Sequence, residues 1–123
     1  FSALKEAWNK ASLPMEREHT TPYLWERPTE FRLMNVTWEK GLDFSMKHRW
    51  TIDYTEDYQF IARVYDELYE KNPMFGLEDI LSLLNERPDI YEINSKFAGV
   101  NWYRNHLDEL KTIDASKTKQ MKS

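Results

Sequence analysis

The sequence predicts an α/β chain, rich in helix and carrying a few short strands. Three observations predict it. Two stretches, 58–69 and 77–84, repeat apolar residues at helical spacing. Two others, 31–38 and 49–53, alternate side chains with the two-residue period of a strand. The second of these strands runs straight into the first long helix, the kind of junction at which open α/β sheets bind ligands. A length of 123 residues fits one domain, assigned to 1–113, followed by a polar tail at 114–123.

Leu4, Ala7, Trp8 and Ala11 follow the spacing of one helical face, and Ser2 suits its start. Pro14 suits a first helical position. The stretch from Met15 to Thr21 then carries Glu16, Arg17, Glu18 and His19 before Pro22 limits the helix, leading to an aromatic segment, Tyr23 to Trp25. From Phe31 to Trp38 the period is two: Met34, Val36 and Trp38 point one way, Leu33, Asn35 and Thr37 the other. Residues 40–47 contain Gly41, show no period and read as a loop.

Arg49 to Asp53 reads as the second strand, with Trp50 and Ile52 on one face and Arg49, Thr51 and Asp53 on the other. Thr55 can cap the helix that follows, and Glu56 and Asp57 favour its positive end. Tyr58, Ile61, Ala62, Tyr65, Leu68 and Tyr69 form its expected apolar stripe, ended by Asn72 and Pro73. Leu77, Ile80, Leu81 and Leu84 make another stripe that stops before Pro88. A short turn at Asp89–Ile93, a helix over Trp102–Leu110 and a fraying polar tail complete the prediction.

The formal charge of -4 is spread as mixed acids and bases, which is no footprint for nucleic acid. No apolar run approaches the roughly 20 residues of a membrane helix, and no signal-like start is present. A soluble, cytoplasmic protein is expected. The absence of cysteine excludes disulfides, thiolate catalysis and zinc–cysteine sites. The chain opens at Phe1 directly in a helical pattern, which suggests a piece of a longer polypeptide.

Asp53 is the leading candidate for chemistry. A carboxylate at the carboxyl end of a strand can hold Mg²⁺, which prefers oxygen ligands and commonly binds one or two carboxylates together with substrate phosphates. The alternative is that Asp53 only caps the next turn. Arg49 shares its strand face and either pairs with Asp53 or supports an anion. Arg17 can pair with Glu16 or Glu18 in solvent, and a lone His19 is commonly a capping or surface imidazole. The three histidines show no metal-ligand spacing, and Trp50 and the periodic tyrosines read as core.

Four segments carry a resemblance: Glu16-Arg17-Glu18-His19-Thr20-Thr21-Pro22-Tyr23, Arg49-Trp50-Thr51-Ile52-Asp53-Tyr54-Thr55-Glu56-Asp57, Phe75-Gly76-Leu77-Glu78-Asp79-Ile80 and Glu92-Ile93-Asn94. In this order they resemble the C-terminal half of the cytidylyltransferase family, which includes acylneuraminate and 3-deoxy-manno-octulosonate cytidylyltransferases, most closely its spore coat polysaccharide biosynthesis branch. Tyr54 and Thr55 stand where the family commonly has Thr-Pro. The resemblance implies the C-terminal half of a Rossmann-like nucleotidyltransferase fold that moves CMP from CTP to a sugar or sugar acid. It makes Asp53 a ligand of the Mg²⁺ cofactor, turns Arg17 and His19 toward the sugar, and sets Arg49 on the phosphate side as a catalytic residue. The family's glycine- and arginine-rich nucleotide loop and second metal-binding aspartate lie upstream, so this chain alone is expected to have little transferase activity. A half-sheet would leave an open edge, and homodimerisation is expected from it. A non-catalytic dimerisation or partner-docking module is the alternative, suggested by the many tryptophans and tyrosines.

Overall fold

The computed structural model describes residues 1–19 and 21–121. Thr20 of the Glu16–Tyr23 segment, and Lys122 and Ser123 of the tail, lie outside the described residues. Helices α1 (Ser2–Lys10), α2 (Pro14–Glu18), α3 (Pro22–Trp25), α4 (Thr55–Leu68), α5 (Leu77–Glu86) and α6 (Pro88–Glu92) are joined by loops and by 3₁₀ turns at Ser95–Phe97, Trp102–Asn105 and Ala115–Lys117. The chain divides into two compact units: Phe1–Asp43 with the chain from Asn101 onward, and Phe44–Val100.

The expected α/β, Rossmann-like half-fold is overturned, because no strand is present among the described residues. Alternation marks a strand only where a neighbouring strand accepts and donates the ladder bonds. Residues 32–38 form no regular element, and Leu33, Met34 and Val36 are all exposed. At 49–54, side chains take the place of a ladder. The Asn94 amide donates to the Arg49 carbonyl (2.9 Å), and the Asp53 and Tyr54 amides both donate to the Asp57 carboxylate (3.1 Å each). Local side-chain bonds of this kind compete with regular secondary structure. The helix expected over Trp102–Leu110 is likewise reduced to the turn Trp102–Asn105.

In the unit Phe44–Val100, α4, α5 and α6 enclose a core of Phe60, Val64, Leu83, Leu84 and Ile90, with Ile61, Leu68 and Ile80 at its margin. The buried face of α4 therefore runs through Phe60 and Val64. Tyr58, Tyr65 and Tyr69, expected in the stripe, are more than half exposed. Tyrosine tolerates this position because its hydroxyl end is wet while its ring covers apolar surface. Tyr54, not Thr55, is the N-cap of α4, and the first-turn acid Asp57 reaches back to its amide. Asp79 does the same for Gly76 at the start of α5 (2.8 Å). Arg87 donates to Glu67 of α4 and to Asp89 of α6 (2.8 Å each), tying the ends of two helices to the α5–α6 corner.

In the other unit, Ala7, Met15, Tyr23 and Leu110 are buried. Glu16, also buried, accepts from the Ser12 and Leu13 amides (3.1 and 3.3 Å) and from Arg27 (2.8 Å), whose guanidinium lies 3.7 Å above the Tyr23 ring. Glu26 gathers the Lys111 and Thr112 amides (2.6 and 3.0 Å) and the Thr112 hydroxyl, which fastens the returning chain beside α3.

Candidate functional site: an arginine–carboxylate network at the start of α4

Asp57 organises this site. It sits in the first turn of α4, where a carboxylate is favoured by the helix dipole, and it is fully withheld from solvent. One oxygen accepts from Arg49 Nε (3.0 Å) and Asn94 Nδ2 (2.9 Å), and the other from the amides of Asp53 and Tyr54. Burial pulls the Asp57 carboxyl upward, but the hydrogen bonds from Asn94, the two amides and Arg49 outweigh it and hold it below the usual carboxylate range. Asp57 is therefore an anion with no lone pair left for a ligand.

Arg49 is held as firmly. Nε faces Asp57, Nη1 donates to the Val100 carbonyl (2.8 Å), and Nη2 pairs with Asp53. The Arg49 side chain is 8% exposed, whereas that of Asp53 is 66% exposed. The network is thus graded from a buried carboxylate, through a nearly buried guanidinium, to one carboxylate that faces water. Tyr54 stacks on Phe97 at 4.0 Å and roofs the guanidinium, which lies 5.3 Å from the Tyr54 ring.

The fit to Mg²⁺ is restricted. Among the described residues no group of three His, Cys, Asp or Glu could enclose a metal ion. Asp53 offers one accessible carboxylate, and Asp57 offers none. A single protein carboxylate matches the share of the coordination shell that Mg²⁺ takes from proteins when phosphates and water supply the rest. Asp53 could fill one such place, in competition with Arg49.

Arg49 and Asp53 are thus brought together, as their shared strand face suggested, although the strand itself is missing. Arg17 and His19 belong to the other unit. Arg17 Nη1 donates to the Trp8 carbonyl (2.6 Å) and its guanidinium lies 4.6 Å from the Trp8 ring. His19 stacks on Trp102 with centroids 3.7 Å apart, and His106 approaches both rings. Two functional neighbours escaped the sequence reading. Asp57 was legible only as a dipole-favoured acid, although its place three residues after the N-cap is the capping-box signal. Asn94, 37 residues further along, carried no local signal.

The chain is 32% identical over 97 residues to an uncharacterized protein, MJ1063, of Methanocaldococcus jannaschii. That match takes in 77% of this chain and 38% of the relative, so the chain spans well under half the length of the curated protein it matches. No family model matches the chain, and no solved structure matches it.

Proposed function

We propose that this chain is the C-terminal part of a cytoplasmic nucleotidyltransferase that moves CMP from CTP to a sugar or sugar acid for surface polysaccharide biosynthesis. The observation that carries the reading is the exposed carboxylate of Asp53, fixed at its base by the Arg49–Asp57–Asn94 network. Two of the four segments that resemble cytidylyltransferases meet in this network: Arg49, Asp53 and Asp57 come from one and Asn94 from another.

In this reading Asp53 supplies one oxygen ligand to Mg²⁺, which when bound neutralises charge at the α-phosphate. Arg49, each of whose three nitrogens already donates to the protein, is the positioning residue that aims Asp53. Arg17 and His19 remain the residues proposed to meet the acceptor sugar. Nucleotide-binding loops and further metal ligands would come from sequence outside this chain, in a protein longer than it, as MJ1063 is. The test is pyrophosphate release from CTP by the longer protein carrying this chain, supplied with Mg²⁺ and a panel of sugars and sugar acids. Asp53→Asn should lower turnover by a factor on the order of 100 or more while leaving the fold intact, since metal-assisted charge neutralisation contributes several kcal/mol. Near-normal turnover of that variant defeats the assignment.

A second reading is a non-catalytic module that dimerises or docks a partner. It is favoured by α1, whose Trp8 is 70% exposed beside exposed Leu4. Light scattering together with a CTP and Mg²⁺ titration of the longer protein separates the two: partner or self-association with no nucleotide binding by that protein supports the module.

A further inference from the structure

The unit Phe44–Val100 contains a recess that the nucleotidyl-transfer reading leaves unused. It is walled by Phe44, Lys47 and His48 from the loop before α4, by Leu81, Leu84 and Asn85 of α5, and by Tyr91 of α6, and offers about 270 Å³ open to solvent on one side. The loop is turned back on itself by the Lys47 and His48 amides, which both donate to the Phe44 carbonyl (2.9 and 3.0 Å). The Tyr91 hydroxyl donates to the Lys47 carbonyl (3.3 Å) and closes one side. The His48 ring stands edge-on to both Phe44 (5.3 Å, 71°) and Tyr91 (5.5 Å, 79°), so three rings form an angular aromatic wall opposite the leucines of α5.

Apart from the Tyr91 hydroxyl, the polar side chains of this recess have no hydrogen-bond partner among the described residues. The His48 imidazole, the Lys47 ammonium and the Asn85 carboxamide make no hydrogen bond with the described residues, and Lys47 only overhangs the Phe44 ring at 5.7 Å. Burial, aided by the Lys47 charge, pushes the His48 imidazole below its usual value, so at neutral pH Lys47 is the cation of the site. Asn85 lies in the last turn of α5, where the carbonyl ends of the helix disfavour dense negative charge. That argues against a phosphate dianion. A carboxylate only accepts hydrogen bonds, and the Lys47 ammonium and the Asn85 carboxamide, which both line the recess, can donate them. The volume lies just below the roughly 300 Å³ at which small-molecule sites begin, which limits the ligand to one small ring with one polar group.

We propose that this recess binds a small aromatic carboxylate, its ring lying between the Phe44–His48–Tyr91 wall and Leu81, and its carboxylate received by Lys47 and Asn85. The site is independent of the nucleotidyl-transfer reading, and its probe contains neither nucleotide nor metal. The experiment is an amide-resolved NMR titration of the 123-residue chain with phenylacetate and, as neutral counterpart, phenylacetamide. Phenylacetate should give saturable shifts confined to 44–48, 81–85 and 91. Phenylacetamide should bind about tenfold more weakly, the loss expected for one charge-assisted hydrogen bond. Lys47→Gln, a change at an exposed side chain that leaves the amide spectrum dispersed, should reduce phenylacetate to the affinity of phenylacetamide. Absence of saturation, shifts scattered over the chain, equal affinity for both probes, or full phenylacetate binding by Lys47→Gln would each overturn the proposal.

Discussion

Asp57 and Arg49 form a buried ion pair, with Nε 3.0 and 3.1 Å from the two carboxylate oxygens. Removing Asp57 leaves Arg49 paired with Asp53 alone and takes the acceptor from Asn94 and from the Asp53 and Tyr54 amides. Asp57→Ala should therefore destabilise the chain by about 3–5 kcal/mol, the usual cost of breaking a buried pair. Urea unfolding followed by circular dichroism measures it. Asp53→Asn, which breaks only the exposed arm of the network, should cost no more than about 1 kcal/mol.

Acid should weaken this network and the Glu16–Arg27 pair of the other unit. Asp57 and Glu16 both have their carboxyls held below the ordinary range, Asp57 by Asn94, two amides and Arg49 acting against burial, and Glu16 by Arg27 and two amides acting against burial. A carboxyl depressed in the folded state stabilises fully above its unfolded value and loses that contribution as pH falls through the folded one. Stability should be flat near neutral pH and fall below about pH 4. The slope of unfolding free energy against pH should flatten in Asp57→Ala, and an unchanged slope would count against the pairing.

Asn94 has a different weight. Its carboxamide donates to both Asp57 and the Arg49 carbonyl, at 2.9 Å each. Asn94→Leu should cost about 1–3 kcal/mol, because two buried acceptors lose a partner. In a double-mutant cycle with Asp57→Ala the losses should fall short of adding by about 0.5–3 kcal/mol. Strict additivity would mean that the two side chains act separately.

Gly99 adopts φ +74°, and a Cβ added there would stand 2.8 Å from the Met46 methyl. Gly99→Ala should be destabilising by about 1–3 kcal/mol, chiefly through backbone strain, since the Met46 methyl ends a flexible side chain that can move aside while its carbonyl at 3.4 Å cannot. Gly41, at φ +67° but facing open space, should lose only the strain when changed to Ala. Thermal unfolding midpoints of the two variants give the comparison.

On α4 the faces can be distinguished directly. Phe60 is buried and Tyr65 about half exposed. Phe60→Ala should cost about 3–5 kcal/mol, and Tyr65→Ala well under half of that. Similar losses would show that the tyrosines, not Phe60 and Val64, face the core.

The helices α1, α4 and α5 were legible in the sequence because their spacing and flanking residues act locally. Gly76 and Asp79 cap α5 within one turn, and Pro88 stops it. Period alone misled at α4, where a stripe drawn through the tyrosines missed Phe60: ring size does not say which side of a helix meets the core. At 49–53 the alternation was real, yet a strand requires another strand, and the backbone there is satisfied by Asn94 and Asp57 instead.

The same division holds for the candidate site. The sequence alone placed Arg49 and Asp53 within four residues of one another and put acids at the start of α4, since both follow from neighbours along the chain. Only the tertiary structure decided which carboxylate is buried and which faces water, because that depends on the chain after α6 delivering Asn94 to Asp57 and the Val100 carbonyl to the Arg49 guanidinium, both from far along the sequence. Desolvation is a property of the assembled surroundings, and no local spacing encodes it.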